Sequence, residues 1–177
     1  MLHESRLMRE LRALLHAQRT AALGTTGDDG AAFVSMVPFA LEPISGCLVI
    51  HISGLAAHTR HLKDRPRVSL LVMQSEVPGQ PVHALQRITL EGKANLLVRN
   101  GTKARACRAA YLARFPEAEF MTQLGDFRFV AIRITRGRHV AGFGAARDVE
   151  REEFKRVMGA AGTGKAFDSG GELRVRG

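Results

Sequence analysis

Residues 20–53, TAALGTTGDDGAAFVSMVPFALEPISGCLVIHIS, hold three short runs of small and β-favouring residues parted by two turn signals. No other stretch restricts the fold so strongly. Strands joined by links this short have no room for a crossover helix, so they pair antiparallel. The pattern predicts strands over 20–26 (TAALGTT), 31–39 (AAFVSMVPF) and 47–53 (CLVIHIS), with a hairpin at GDDG and a second turn at EPISG. The third run is apolar almost throughout and reads as mostly buried.

Three further strands follow the same logic. RVSLLVM (67–73) is one, and LQRITLEGKANLLV (85–98) is a long one expected to bend near Gly92, since an interior glycine marks a bulge or close approach. DFRFVAIRITRGRHVAGFG (126–144) is apolar on both sides and is expected at the centre of the sheet. Helices are interposed. Residues 3–18 place Leu7, Leu11, Leu14 and Leu15 on one face. Leu55, His58 and Leu62 are spaced for a short helix that ends at Arg65-Pro66, because proline disfavours helical geometry in the residue before it. GTKARACRAAYLARF is Ala-rich and expected to be capped by Asn100, with a short PEAEFMTQL helix after it and a charged helix from Asp148 to Met158. The fold class expected is α+β, mainly β: a six-stranded antiparallel barrel with peripheral helices.

The 177 residues leave room for one domain, placed at 1–158, and the glycine-rich 159–177 is expected to be a flexible tail whose ordering costs more entropy than burial returns. A formal charge of +9 asks for an anionic partner. Nucleic acid fits poorly, because the basic residues are spread along a chain with one tyrosine and no tryptophan, and no run interleaves aromatics with Lys and Arg to stack bases. No run approaches a membrane span and MLHESRLMRELRALLHAQR is too charged for a signal peptide, so a cytoplasmic protein without membrane contact is expected. Cys47 and Cys107 lack CxxC spacing and are expected as buried thiols rather than a disulfide or zinc site. No Ser-His-Asp elbow or metal helix motif is present, and no catalytic residue is assigned.

Ser53 stands where the third strand turns into a helix expected to begin near Gly54 or Leu55, placed so that its side chain caps it, with His58, Thr59 and Arg60 one turn further in. A helix start with a histidine, a hydroxyl and an arginine suits an anion, although a plain capped helix with a solvated basic face accounts for the same spacing. Gln86 and Arg87 face opposite sides of their strand, so one of them points at whatever covers it. Ser35 is polar within an apolar strand, and Pro38 nearby hints at an edge. GRHVAGFGAA has glycines but not the strand-loop-helix context of a phosphate loop.

Taken in order, QRTAALGT, VSMVPFAL, LAAHTRHLKDRPRVSLLV, QRITLEGKA and GRHVAGFGAA resemble the FMN-binding split barrel of the pyridoxamine 5′-phosphate oxidase superfamily, near its haem-utilisation branch. The resemblance covers roughly residues 8–157. It implies a homodimer with the cofactor in a cleft between subunits. It sets His58 where the oxidases hold phosphate with a lysine and Ala57 where they have an arginine, leaving Arg60 or Arg87 to replace the missing charge. Arg87 falls at a flavin-contacting glutamine beside Gln86. Ser35, Met36 and Val37 would line the flavin or its ribityl chain through their backbone, with His51, Ile52 and Ser53 on the adjoining strand. The oxidases' C-terminal Arg- and Trp-bearing segment has no counterpart, so pyridoxamine phosphate oxidation is not expected. The implied function is an FMN-dependent oxidoreductase on a small substrate. The alternatives are a haem-binding or haem-degrading protein of the same fold, or a non-catalytic flavin-binding protein.

Overall fold

A computed structural model describes residues 5–159. Apart from Gly159, the segment expected to be a flexible tail lies outside the described residues. Helix α1 (Arg6–Ala17) starts at Ser5, whose hydroxyl accepts the Met8 N–H, and its leucine face buries Leu11, Leu14 and Leu15. The first three strands follow: β1 (Thr20–Thr26), β2 (Ala32–Glu42) and β3 (Cys47–Ser53). Helix α2 (Ala57–Asp64) stops at Arg65-Pro66, as the proline requires. It leads to β4 (Arg67–Met73), β5 (Arg87–Leu96), α3 (Thr102–Arg114), two short 3₁₀ turns and β6 (Phe127–Val140). The described residues end in β7 (Ala146–Glu150) and α4 (Arg151–Gly159).

Every pairing is antiparallel, in the order β3-β2-β1-β4-β5-β6-β7, and β3 also pairs with β6. That last contact closes six strands into a barrel and leaves β7 as a flap on β6. Closure removes most exposed edge. One gap remains. Over residues 32–38 the partner of β2 among the described residues is β1 alone, because β3 joins β2 only from Phe39 onward. The barrel is therefore split along the outer edge of β2. Pro38, which has no N–H to donate, stands at that transition. The expected bend in β5 is a register shift between Glu91 and Gly92, and a Cβ on Gly92 would lie 2.7 Å from the Arg133 carbonyl oxygen. Glycine is required there.

Two apolar layers form. Phe39, Leu48, Ile50, Ile52, Leu90 and Ile132 fill the barrel together with Leu11 and Leu15 of α1, Leu62 of α2 and Phe154 of α4. On the other face of β3 and β6, Val49, Ala131 and Cys47 pack against Cys107, Tyr111 and Phe115 beneath α3. Both thiols are free and buried, as expected.

Three local expectations are corrected. The charged helix begins at Arg151, because Asp148 and its neighbours pair with β6 as β7. Asn100 does not cap α3: it takes a left-handed φ of 69°, and Gly101 occupies the cap position. Ser53 does not cap α2, which starts four residues later behind Ala56, a residue with no side chain to cap it.

Candidate functional site

The residues singled out from sequence do not gather at a single place. The first lies where α2 meets β2. Ser35 points to the inner side of β2, and its Oγ is 3.0 Å from Nδ1 of His58 on the first turn of α2. The other ring nitrogen of His58, Nε2, is buried and has no partner among the described residues. Burial, assisted by the neighbouring His61, pushes the His58 pKa below its ordinary value, so the imidazole is neutral at pH 7. His61 is fixed in turn: its Nδ1 is 3.0 Å from Thr25 Oγ1, and Phe33 meets its ring edge-on at 5.4 Å. Sequence reasoning missed this second pair, since nothing in TAALGTT marks Thr25 as facing a helix.

Beside this pair runs the free edge of β2. Val37 is buried in the barrel, whereas Val34 and Met36 point outward at 65% and 66% exposure. Apolar side chains flanking unpaired backbone are a combination that a ligand or another chain can cover. Arg60 is exposed on α2.

The remaining candidates do not gather there. The Thr59 hydroxyl is buried and donates to the Ser53 carbonyl oxygen at 2.6 Å, which holds the turn together. Ser53 accepts from Leu55 N–H and donates to Asp126 at 2.7 Å, so its hydroxyl is committed within the turn that precedes α2. Ile52 fills the barrel interior. Gln86 and Arg87 sit at the start of β5, three strands from β2 either way round the barrel. The Gln86 N–H bonds to the Gln74 side chain, and Arg87 donates to the Leu85 carbonyl oxygen. Arg87 and Ser35 thus lie on opposite walls of one chain.

His51 belongs to the second place. Strand alternation turns it away from Ile52, toward α3, where its ring lies 4.3 Å from Phe129, 5.1 Å from Phe127 and 5.8 Å from Tyr111. Burial, with Arg99 nearby and only partly opposed by Asp126, pushes its pKa down to about 4. It lines a cavity bordered by Arg99, Arg105, Arg108 and Arg128. These arginines come from the β5–α3 link, α3 and β6, which is why no sequence motif announced them.

Among the described residues, no cluster of three or more His, Cys, Asp or Glu is placed to hold a metal ion, and no helix is long and apolar enough to cross a membrane. The haem oxygenase HutZ of Vibrio cholerae is 28% identical over 152 residues, covering 85% of this chain and 85% of HutZ. The chloroplastic haem oxygenase HOZ of Arabidopsis thaliana is 34% identical over 82% of this chain, which spans 45% of HOZ. A solved haem-binding protein from Mycobacterium smegmatis superimposes with a TM-score of 0.76 at 26% identity, over 88% of this chain and 62% of that one. The family model described as pyridoxamine 5′-phosphate oxidase matches residues 7–141, spanning the whole six-stranded barrel and the split in β2, and the chain belongs to that family.

Proposed function

We propose that this protein handles haem, as a binding or degrading protein, at the split edge of β2. The observation that carries the reading is His58: a neutral imidazole whose Nδ1 is tied to Ser35 and whose Nε2 is buried without a partner among the described residues. A histidine that ligates metal characteristically secures its other ring nitrogen in this way, which fixes both tautomer and ring direction. Ligation through Nε2 requires the proton on Nδ1, from which it donates to Ser35 Oγ. Because Nε2 is covered, ligation also requires a shift of the first turn of α2, the turn that lacks a side-chain cap.

The other residues present suit the same group. Val34 and Met36 supply an exposed apolar surface for a flat macrocycle, and Arg60 supplies positive charge for propionates. Haem bound there is cargo or substrate, and its iron supplies oxygen chemistry that the protein only orients. A second copy of the chain, covering the free edge of β2, would complete the cleft as a homodimer. FMN, the cofactor that the family's name brings to mind, has less support: position 57 is alanine, the Ser53 hydroxyl is taken up by Asp126, and the relatives compared above are named for haem.

Titration of the purified protein with haemin and separately with FMN, each followed by desalting, tests the reading. A saturable Soret band is expected. It should shift or vanish in His58→Ala, and affinity should drop about 10- to 100-fold in Ser35→Ala. An unchanged Soret spectrum in His58→Ala removes His58 from the site. FMN retained through desalting with no Soret band restores the flavin reading.

A further inference from the structure

The cavity beneath α3 is not needed for the haem reading and has its own chemistry. Its floor is aromatic: His51, Phe127 and Phe129, with Leu97 and Ala104 beside them. Its volume is about 130 Å³, close to the roughly 150 Å³ apolar cavity that accommodates one benzene ring. Its rim is cationic. Arg99 donates to the carbonyl oxygens of Gln123 and Leu124, Arg105 to the Asn100 carbonyl and Thr102 hydroxyl, and Arg128 to the carbonyls of Gly125 and Phe127. Of the four, Arg108 alone reaches a carboxylate among the described residues, Glu119 at 3.4 Å, while also bonding to Thr122. Asp126, the other carboxylate nearby, is hydrogen-bonded to Ser53.

Four guanidiniums therefore converge with two carboxylates to balance them. Three of the four spend their hydrogen bonds on neutral oxygens. The start of α3, with no side-chain cap, opens beside Asn100 and Ala104 and adds the positive end of a helix dipole. The buried histidine supplies a separate sign of a ligand. His51 is 7% exposed, and its Nδ1 has no hydrogen-bond partner among the described residues, a cost that a native interior rarely accepts without return.

We propose that this cavity is a second binding site, for a small anion built on one flat ring: the ring stacks among His51, Phe127 and Phe129, and its carboxylate or phosphate lies against Arg99, Arg105 and Arg128. The apolar floor selects the ring and the guanidinium rim selects the charge, because each forfeits its contacts if its half of the ligand is missing. This second site depends on neither haem nor FMN.

Tyr111 is the only tyrosine and there is no tryptophan. Its ring sits 5.8 Å from His51. Its fluorescence and ring NMR signals therefore report on the site in the unmodified protein. Benzoate and phenyl phosphate should each produce a saturable change in the Tyr111 signals and a calorimetric isotherm with one site per chain. Benzamide, which keeps the ring and loses the charge, and inorganic phosphate, which keeps the charge and loses the ring, should bind at least 10-fold more weakly. Arg99→Gln combined with Arg128→Gln should weaken benzoate at least 10-fold, whereas His58→Ala should leave it unchanged. Benzamide binding as tightly as benzoate, inorganic phosphate matching phenyl phosphate, loss of benzoate binding in His58→Ala, or no Tyr111 response at millimolar benzoate would each overturn the proposal.

Discussion

Acidification offers a quantitative test of the packing around His51. In the folded chain burial holds this imidazole at a pKa of about 4, while its ordinary value is 6.5. The depressed value fixes the sign: the unfolded chain takes up the proton first, so stability is full above pH 6.5 and declines as pH falls toward 4. One pKa unit corresponds to about 1.36 kcal/mol. The loss attributable to this group is therefore about 2 kcal/mol at pH 5 and about 3 kcal/mol at pH 4. His16, His58 and His139 are depressed in the same direction and add to the total slope, so the group must be isolated by difference. His51→Phe keeps an aromatic ring among Phe127, Phe129 and Tyr111 and removes the titration. Urea unfolding of both proteins from pH 7.5 to 4 gives the difference curve. His51→Phe should lose less stability on acidification, with the gap widening by about 3 kcal/mol across that range. A flat difference curve would refute the claim that His51 is buried uncharged.

Two further perturbations test other parts of the fold. Glu42 is buried at the β2–β3 turn; burial alone would raise its pKa, but hydrogen bonds from the Ser45 hydroxyl and the Ser45 and Ile44 N–H groups outweigh that and hold it below its ordinary value. Glu42→Gln should cost about 1–3 kcal/mol at pH 7 by chemical unfolding, and the deficit should shrink as pH falls below 4.5, where the unfolded wild-type chain begins to take up the proton that the folded carboxylate still refuses. Equal deficits at pH 7 and pH 3 would contradict that account. Gly92→Ala must push apart β5 and β6 at the bulge, since the added Cβ meets backbone rather than a movable side chain. Its melting temperature should fall by several degrees, for a cost of about 1–3 kcal/mol, and an unchanged midpoint would mean that the bulge relaxes freely.

Local periodicity and turn chemistry make most of the elements legible in the sequence. TAALGTT, CLVIHIS and RVSLLVM are strands over the residues expected, because each is a short β-favouring run bounded by glycine, proline or polar turns. The helix stop at Pro66 and the bend at Gly92 are equally readable, since both follow from the backbone of a single residue. Element ends decided by competition are not. Residues 148–150 carry a helix-compatible charge pattern, yet the open edge of β6 recruits them as β7, which only a folded sheet can offer. The resemblance singles out Ser35 and His58 without showing that they touch, because their contact joins residues 23 apart across a strand and a helix. Closure by β3 and β6 then decides the rest. It sends Ile52 inward and His51 outward, puts Arg87 on the wall facing Ser35, and assembles the arginine-rimmed cavity from three separate segments. Sequence by itself determined which residues form strands and helices, because those choices are local. Which side chains share a site was settled only by tertiary structure, because that depends on the order in which strands pair.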